Sequence, residues 1–206
     1  MKTGRPRQFD RDDAVIKAMH LFWEHGYDST SLAMLKASIG KGITAPSFYA
    51  AFGSKEALFN EAVNCYLNTH AQVTESLWDS GLPARQALET ALIHSARMQY
   101  GAEHPRGCMV TLSAMFTCTA ENRHILMPLE ASRRRTREGI LHCVKRGISS
   151  GELSDNEDTL ALAVSFDSFL VGISTLARDN VPLAAVERAI IHMMGLWDAA
   201  RVVAQE

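Results

Sequence analysis

Apolar residues recur three and four positions apart along nearly the whole of this 206-residue chain, and no stretch alternates every second residue as a half-buried strand would. That period lets helices, and not strands, bury one face. The chain is therefore read as all-α, with about nine helices. Apolar residues make up 47% and charged residues 21% of the sequence, enough to build a core and too apolar for wholesale disorder. No run of about 18 purely apolar residues is present, so no membrane partner is expected. The start, Met1–Arg11, is polar and basic and does not read as a secretory leader, so the expected location is the cytoplasm.

Punctuation divides the helical pattern. Asp10 is a natural N-cap for a first helix whose inner face is Ala14, Val15, Ala18, Leu21 and Phe22 and which ends at Gly26. A short helix follows over about Ser31–Ile39, broken by Gly40-Lys41-Gly42. Thr44 caps another short helix that carries Pro46 in its first turn and stops near Phe52–Gly53. Ser54 then caps what reads as one continuous helix from Lys55 to about Trp78. Beyond the break at Ser80–Pro83, five more helices are expected: Ala84–Tyr100, Gly107–Cys118, Ala120–Ile148, Asp155–Arg178 and Pro182–Val203. The fourth opens with Ser154 and Glu157 at capping-box spacing. The domain reading is an arm and small head over 1–54, a connecting helix over 55–79 and a helical body over 80–206.

Charge is unevenly shared. The chain carries a net −2, yet its first 60 residues hold eight Lys or Arg against six acids, and Arg5 and Arg7 lie in an acid-free start. A basic head on an acidic body suits a polyanion partner at one end. Four cysteines without a CxxC pair, and eight histidines without an HExxH, give no support for a metal or cofactor. The cluster Arg133, Arg134, Arg135 and Arg137 reads as a solvated helix face.

Two short helices joined by a glycine-containing turn and packed on a capped first helix make a helix-turn-helix, whose second short helix enters the major groove while helix ends grip phosphates. The segment Thr44–Phe59 (TAPSFYAAFGSKEALF) resembles the recognition helix and following turn of the TetR family of bacterial transcriptional regulators. Gly4–Phe9 (GRPRQF), Phe22–Tyr27 (FWEHGY) and Thr30–Leu32 (TSL) stand where that family has them. The resemblance covers about residues 4–70; beyond, only helical layout and length agree. It implies DNA contacts from Thr44, Ala45, Pro46 and Ser47 at the start of the recognition helix, from Tyr49 and Lys55 to phosphate, from Thr30 and Ser31 on the preceding helix, and from Arg5 and Arg7 on the arm. The turn Gly40-Lys41-Gly42-Ile43 is two residues longer than the family's usual passage from glycine to an aliphatic residue, which adds Lys41 as a phosphate contact.

The resemblance further implies a homodimer on a pseudo-palindromic double-stranded DNA operator, released by a small-molecule effector bound in the body, repression being the usual sense. Candidate pocket residues are His94, Met98, Cys108, Met109, Met115, Phe116, Phe166, Asp167 and Phe169. Cys108, after Gly107 at an expected helix start, is also a candidate reactive thiol. On the last two helices, small residues Ala161, Ser165, Ser168, Gly172 and Thr175, facing Val186, Ile190, Met193 and Trp197, are the candidate dimer interface. Two rival readings are a hydrolase using Gly147–Gly151 (GISSG), which would need a strand before the serine, and a helical interaction protein without specific DNA binding.

Overall fold

The computed structural model describes residues 9–116, 118–155 and 158–201. Among them lie nine α-helices, two 3-10 helices and no strand. α1 (Arg11–His25) begins where the Asp10 carboxylate accepts the amides of Asp12 and Asp13 at 2.8 and 3.0 Å. It ends at Gly26, whose φ of 77° and contact with the Phe116 ring both exclude a side chain. α2 (Leu32–Ser38), α3 (Ala45–Phe52) and α4 (Lys55–Asn68) are capped by Ser31, Thr44 and Ser54, each hydroxyl accepting an amide three residues on. Their inner residues, including Phe48, Phe52, Leu58 and Phe59, close a small core on α1.

The expected helix 55–78 is broken. At its end, Asn68 Nδ2 and Thr69 Oγ1 bond back to the carbonyls of Asn64 and Cys65, at 2.9 and 2.7 Å. Such back-bonding loosens a helix, and the chain continues as a 3-10 helix, His70–Trp78. α5 (Ala84–Gln99) follows. The expected helix Gly107–Cys118 shrinks to the single turn of α6 (Met109–Leu112), after which Ala114 and Met115 donate to carbonyls three residues back. The expected helix Ala120–Ile148 is divided at Pro128, whose ring and missing amide suit only a first turn. A 3-10 helix, Arg123–Leu126, therefore precedes α7 (Met127–Ser149). α8 (Thr159–Arg178) is capped by Asp158, not by Ser154, and Glu157 lies outside the described residues. α9 (Leu183–Ala199) starts directly after Pro182.

A second core joins Leu77 to α5, α7, α8 and α9. Trp197 is fully buried at its centre and lies so close to Gly147 that a Cβ there would meet the indole at 2.6 Å. Val186 and Ile190 are likewise buried within this chain's own core, so the expectation that these three face a partner is corrected. Their spacing belongs to the inner stripe of α9, and the spacing alone does not tell which side is inward. α8 is long and apolar enough to cross a membrane, with a mean hydropathy of 1.8, a property that a search for unbroken apolar runs misses. Here it packs against α5, α7 and α9, and its Asp167 pairs with Arg137 at 2.9 Å.

The GISSG segment is the end of α7. Gly147 sits inside the helix, Gly151 turns the chain with φ of 78°, and no strand leads into Ser149 among the described residues. A nucleophile elbow is not formed. The turn instead delivers Glu152 to α5, which has no cap of its own: the carboxylate accepts the amides of Ala84 and Arg85 at 3.0 and 3.1 Å. An anion at a helix N-terminus satisfies free donors and meets the positive end of the dipole. Glu152→Ala is expected to lower unfolding stability by about 1–2 kcal/mol in urea melts, whereas substituting the exposed Ser149 with Ala leaves the midpoint unchanged.

Head and body meet at a buried aromatic cluster. The Trp23 indole stacks on His104 with centroids 4.6 Å apart and meets Tyr66 and His70 edge-on; His20 lies beside it. Burial, and then the neighbouring charges of His104 and His20, push His70 from 6.5 down to about 4. His20 shifts in the same direction, again chiefly through burial. Between about pH 6.5 and 4 the unfolded chain takes up a proton at His70 that the folded chain refuses. Stability is thus expected to be undiminished by His70 above pH 6.5 and to fall as pH drops toward 4. Thermal melts of His70→Phe should show a flatter acid limb than the parent chain.

Candidate nucleic-acid interface and effector cavity

α3 presents two sides of opposite character. Phe48 and Phe52 are buried, while Pro46, Ser47, Tyr49 and Ala50 are exposed, and the helix carries no acid. Thr44 Oγ1 accepts the Ser47 amide at 3.3 Å and lies 3.0 Å from Ser47 Oγ, so both hydroxyls cluster at the N-terminus. Tyr49 is 51% exposed, held edge-on against Phe48, and its hydroxyl makes no hydrogen bond among the described residues. Lys55 opens α4 with Nζ 4.3 Å from the Tyr27 ring centroid; burial lowers its pKa, opposed by Asp28. Ser31 is exposed at the start of α2, and Lys41 is exposed on the turn. Gly40 and Gly42 both adopt positive φ, 59° and 93°, and Ile43 N donates to Lys36 O at 3.0 Å, so the longer turn is closed by its own backbone.

One expected contact is withdrawn. Thr30 is completely buried, and its hydroxyl donates to Gly26 O at 2.7 Å, locking the passage from α1 to α2. It cannot reach a duplex; its neighbour Ser31 can. Arg5 and Arg7 lie outside the described residues. Ala45 is half-buried at the edge of the exposed side.

In the body, a cavity of about 50 Å³ lies among α4, α5, α6, α7 and α8. Of the expected pocket residues, Met98, Cys108 and Asp167 line it. Met109 and Phe116 border a smaller space of about 10 Å³ beneath Gly26 and Tyr27. His94 and Met115 are exposed, Phe166 is packed against Trp197 in the second core, and Phe169 packs at that core's edge, so these four leave the pocket assignment. Helical spacing marked them as inward or amphipathic without saying which inter-helix gap they met. The Cys108 thiol accepts the Tyr66 hydroxyl at 3.2 Å, and a one-turn α6 supplies little dipole to stabilise a thiolate.

The cavity wall also contains Gln99 and Arg133, neither expected there. Gln99 is buried and receives the Ser174 hydroxyl at 2.7 Å. Arg133 reads as solvent-facing within its basic run, yet Leu129, Arg133, Thr136 and Ile140 lie four, three and four apart, which puts it on the inner face of α7. That spacing was the available signal. Of the other arginines in the run, Arg135 forks onto Glu75 at 2.7 and 2.9 Å, Arg137 holds Asp167, and Arg134 is exposed.

The head is fastened to the body beside this cavity. Arg178, at the end of α8, donates to Glu24, to the Trp23 carbonyl and to the Arg106 carbonyl at 3.0, 3.1 and 2.9 Å. Asp28 accepts the Thr119 amide at 2.8 Å and the Asn122 amide group. α6 itself contributes Met109, Val110 and Leu112 to the head's core.

A capped, acid-free recognition helix held outward on a three-helix core defines a helix-turn-helix DNA-binding protein. Residues 16–62 match the family model for bacterial regulatory proteins of the tetR family. Over 197 residues the chain is 30% identical to the HTH-type transcriptional repressor ComR of Escherichia coli (strain K12), covering 94% of this chain and 91% of ComR. It is 36% identical over 107 residues to the repressor BdcR of the same strain, covering 52% of this chain and 53% of BdcR. A cysteine mutant of the TetR family transcriptional regulator CifR, solved with 26-bp double-strand operator DNA, matches with a TM-score of 0.81 at 36% identity, covering 94% of this chain and 100% of that one. The chain belongs to the TetR family and is a DNA-binding transcriptional regulator.

Thr30 and Tyr49 separate the two roles of the head. Thr30→Val is expected to cost about 1–3 kcal/mol of stability by stranding the Gly26 carbonyl. Tyr49→Phe should leave the melting midpoint unchanged and weaken binding to duplex DNA in a mobility-shift titration.

Proposed function

We propose that this regulator is a repressor that binds a pseudo-palindromic operator as a homodimer and releases it when a small molecule enters the body. The observation that carries this is the exposed, uncharged outer side of α3, flanked by the hydroxyls of Thr44 and Ser47, the Tyr49 phenol and Lys55. ComR and BdcR are named as repressors and CifR was solved on operator DNA, which supports the same sense here. DNA contacts fall to residues 1–54 together with Lys55, transmission to the rest of 55–79, and partner binding and most of the ligand cavity to 80–206.

The dimer surface is assigned to the outer sides of α8 and α9. Leu160, Val164, Ile191 and Leu196 are large apolar side chains exposed there by 63, 46, 66 and 44%. Beside them the small residues Ala161, Ser168, Gly172 and Thr175 permit close helix approach, with Ser165 and Met193 at the edge. Two heads held by such an interface would read half-sites about 34–36 Å apart. Release follows from geometry: a cavity of about 50 Å³ has room for only a few atoms, so a larger ligand must spread α5, α7 and α8. Because α6 and Arg178 tie these helices to α1, spreading would move the heads relative to one another.

Selection of bound sites from random DNA should return two inverted half-sites one helical turn or a multiple apart. Val164→Glu combined with Ile191→Glu is expected to give monomers by light scattering and to weaken operator binding by about 10²-fold or more, as the second half-site contact becomes a separate event. A dimer that survives both charges, or a selected site without symmetry, would overturn the dimeric reading.

A further inference from the structure

We propose that the effector is a small organic monocarboxylate held by the Nε–Nη2 edge of Arg133. This inference rests on the ligand-responsive reading above and adds the chemistry of the ligand. Arg133 is half-buried on the wall of the cavity among α5, α7 and α8. Its Nη1 donates to the Val110 carbonyl at 2.5 Å and the Ser113 hydroxyl at 2.6 Å. Both acceptors are neutral, and among the described residues no carboxylate lies within ion-pair reach of the guanidinium. Arg135 and Arg137 on the same helix each hold an acid, and Arg134 is exposed to solvent.

A guanidinium has five donors in one plane. Nη1 uses its own two here, which leaves the Nε hydrogen and the two on Nη2 without partners among the described residues. Nε–H and one Nη2–H point the same way and form the side-on fork that matches the two oxygens of a carboxylate. Burial lowers the pKa of this group, the mark of a cation taken partly out of water, while the charge of Glu130, which makes no ion pair with it, acts in the opposite direction. An anion arriving in the cavity would bring an opposing charge into direct contact and supply both acceptors.

The rest of the wall selects the remainder of the molecule. Met98, Val110, Leu170 and Val171 are apolar, which suits a hydrocarbon body. A dianion such as phosphate is disfavoured: one free fork faces it, and the Asp167 carboxylate, already satisfied by Arg137, stands on the same wall. The same contact suggests how binding is felt. Arg133 grips α6 through Val110 and Ser113, and α6 packs into the head's core. An anion that draws the guanidinium toward the cavity weakens that grip.

The test uses the full chain and a fixed probe set: acetate, butyrate, octanoate and benzoate, each beside its primary amide, with inorganic phosphate as a further arm. Binding is read by calorimetry and thermal shift, and release from a selected operator by mobility shift. At least one carboxylate is expected to bind and release DNA, its amide and phosphate doing neither. Arg133→Gln should weaken carboxylate binding by about tenfold or more, and Arg133→Lys, which keeps the charge but lacks the fork, should weaken it as well. Val171→Phe, which adds bulk to the cavity from α8 and leaves Arg133 in the chain, should abolish binding, and it keeps the proposal testable if the Arg133 variants fail to fold. Amides that bind as well as acids, an Arg133→Gln variant that binds unchanged, or a panel in which no carboxylate binds would each overturn the proposal. Release of operator by the neutral amides alone would do so while leaving the ligand-responsive reading intact.

Discussion

The seating of α1 on α4 is the constraint on which the rest of the molecule depends. Phe22 meets Phe59 edge-on at 4.9 Å, and one residue later Trp23 meets Tyr66 edge-on at 4.8 Å. Edge-to-face rings at such distances add specific geometry to apolar burial. Truncating aromatics of this kind costs about 3–5 kcal/mol each, a large share of a domain's net stability of about 5–15 kcal/mol. The pair of contacts fixes α1 both in position and in rotation. α2 and α3 then have one place left, across the inner faces of α1 and α4, and the outer side of α3 is left free.

The same helix faces the body. Trp23 is one of the residues through which head and body share a core, stacked on His104 and flanked by His70, with Met109, Val110 and Leu112 of α6 packed into the same core. Around it the links are polar and peripheral: Arg178 to Glu24, and Asp28 to Thr119. Solvent-accessible ion pairs such as Arg178–Glu24 are worth little each, of the order of 0–1 kcal/mol. They orient the head without welding it. A coupling free energy of about 1–3 kcal/mol between two sites is typical of such regulators, and it is of the size that a few exchanged polar contacts supply. Arg133 is the exception to the pattern, a cation drawn inward and given only neutral acceptors.

Local chemistry made the head legible. Caps at Asp10, Ser31, Thr44 and Ser54, the Pro46 first turn and the glycines at 26 and 53 all act within a few residues of where they stand. The body was less legible because its decisive interactions join distant residues. Glu152 caps a helix that begins 68 positions earlier in the chain. The 55–78 pattern looked continuous because periodicity does not register the back-bonding of Asn68 and Thr69. Thr30 and Ser31 are adjacent hydroxyls with equal claims on DNA by sequence, and only the fold shows that one is sealed in and the other is not.

What the chain's order of residues determined unaided was the helical class, the capped helix-turn-helix and the family, because these rest on period, caps and turns, which are short-range. The tertiary structure decided which stripe of α8 and α9 points inward, placing Val186, Ile190 and Trp197 in this chain's own core. It also decided that Arg133 and Gln99, rather than Phe166 and His94, face the cavity. A helix's periodicity defines its faces, but what each face meets depends on packing against partners remote in sequence.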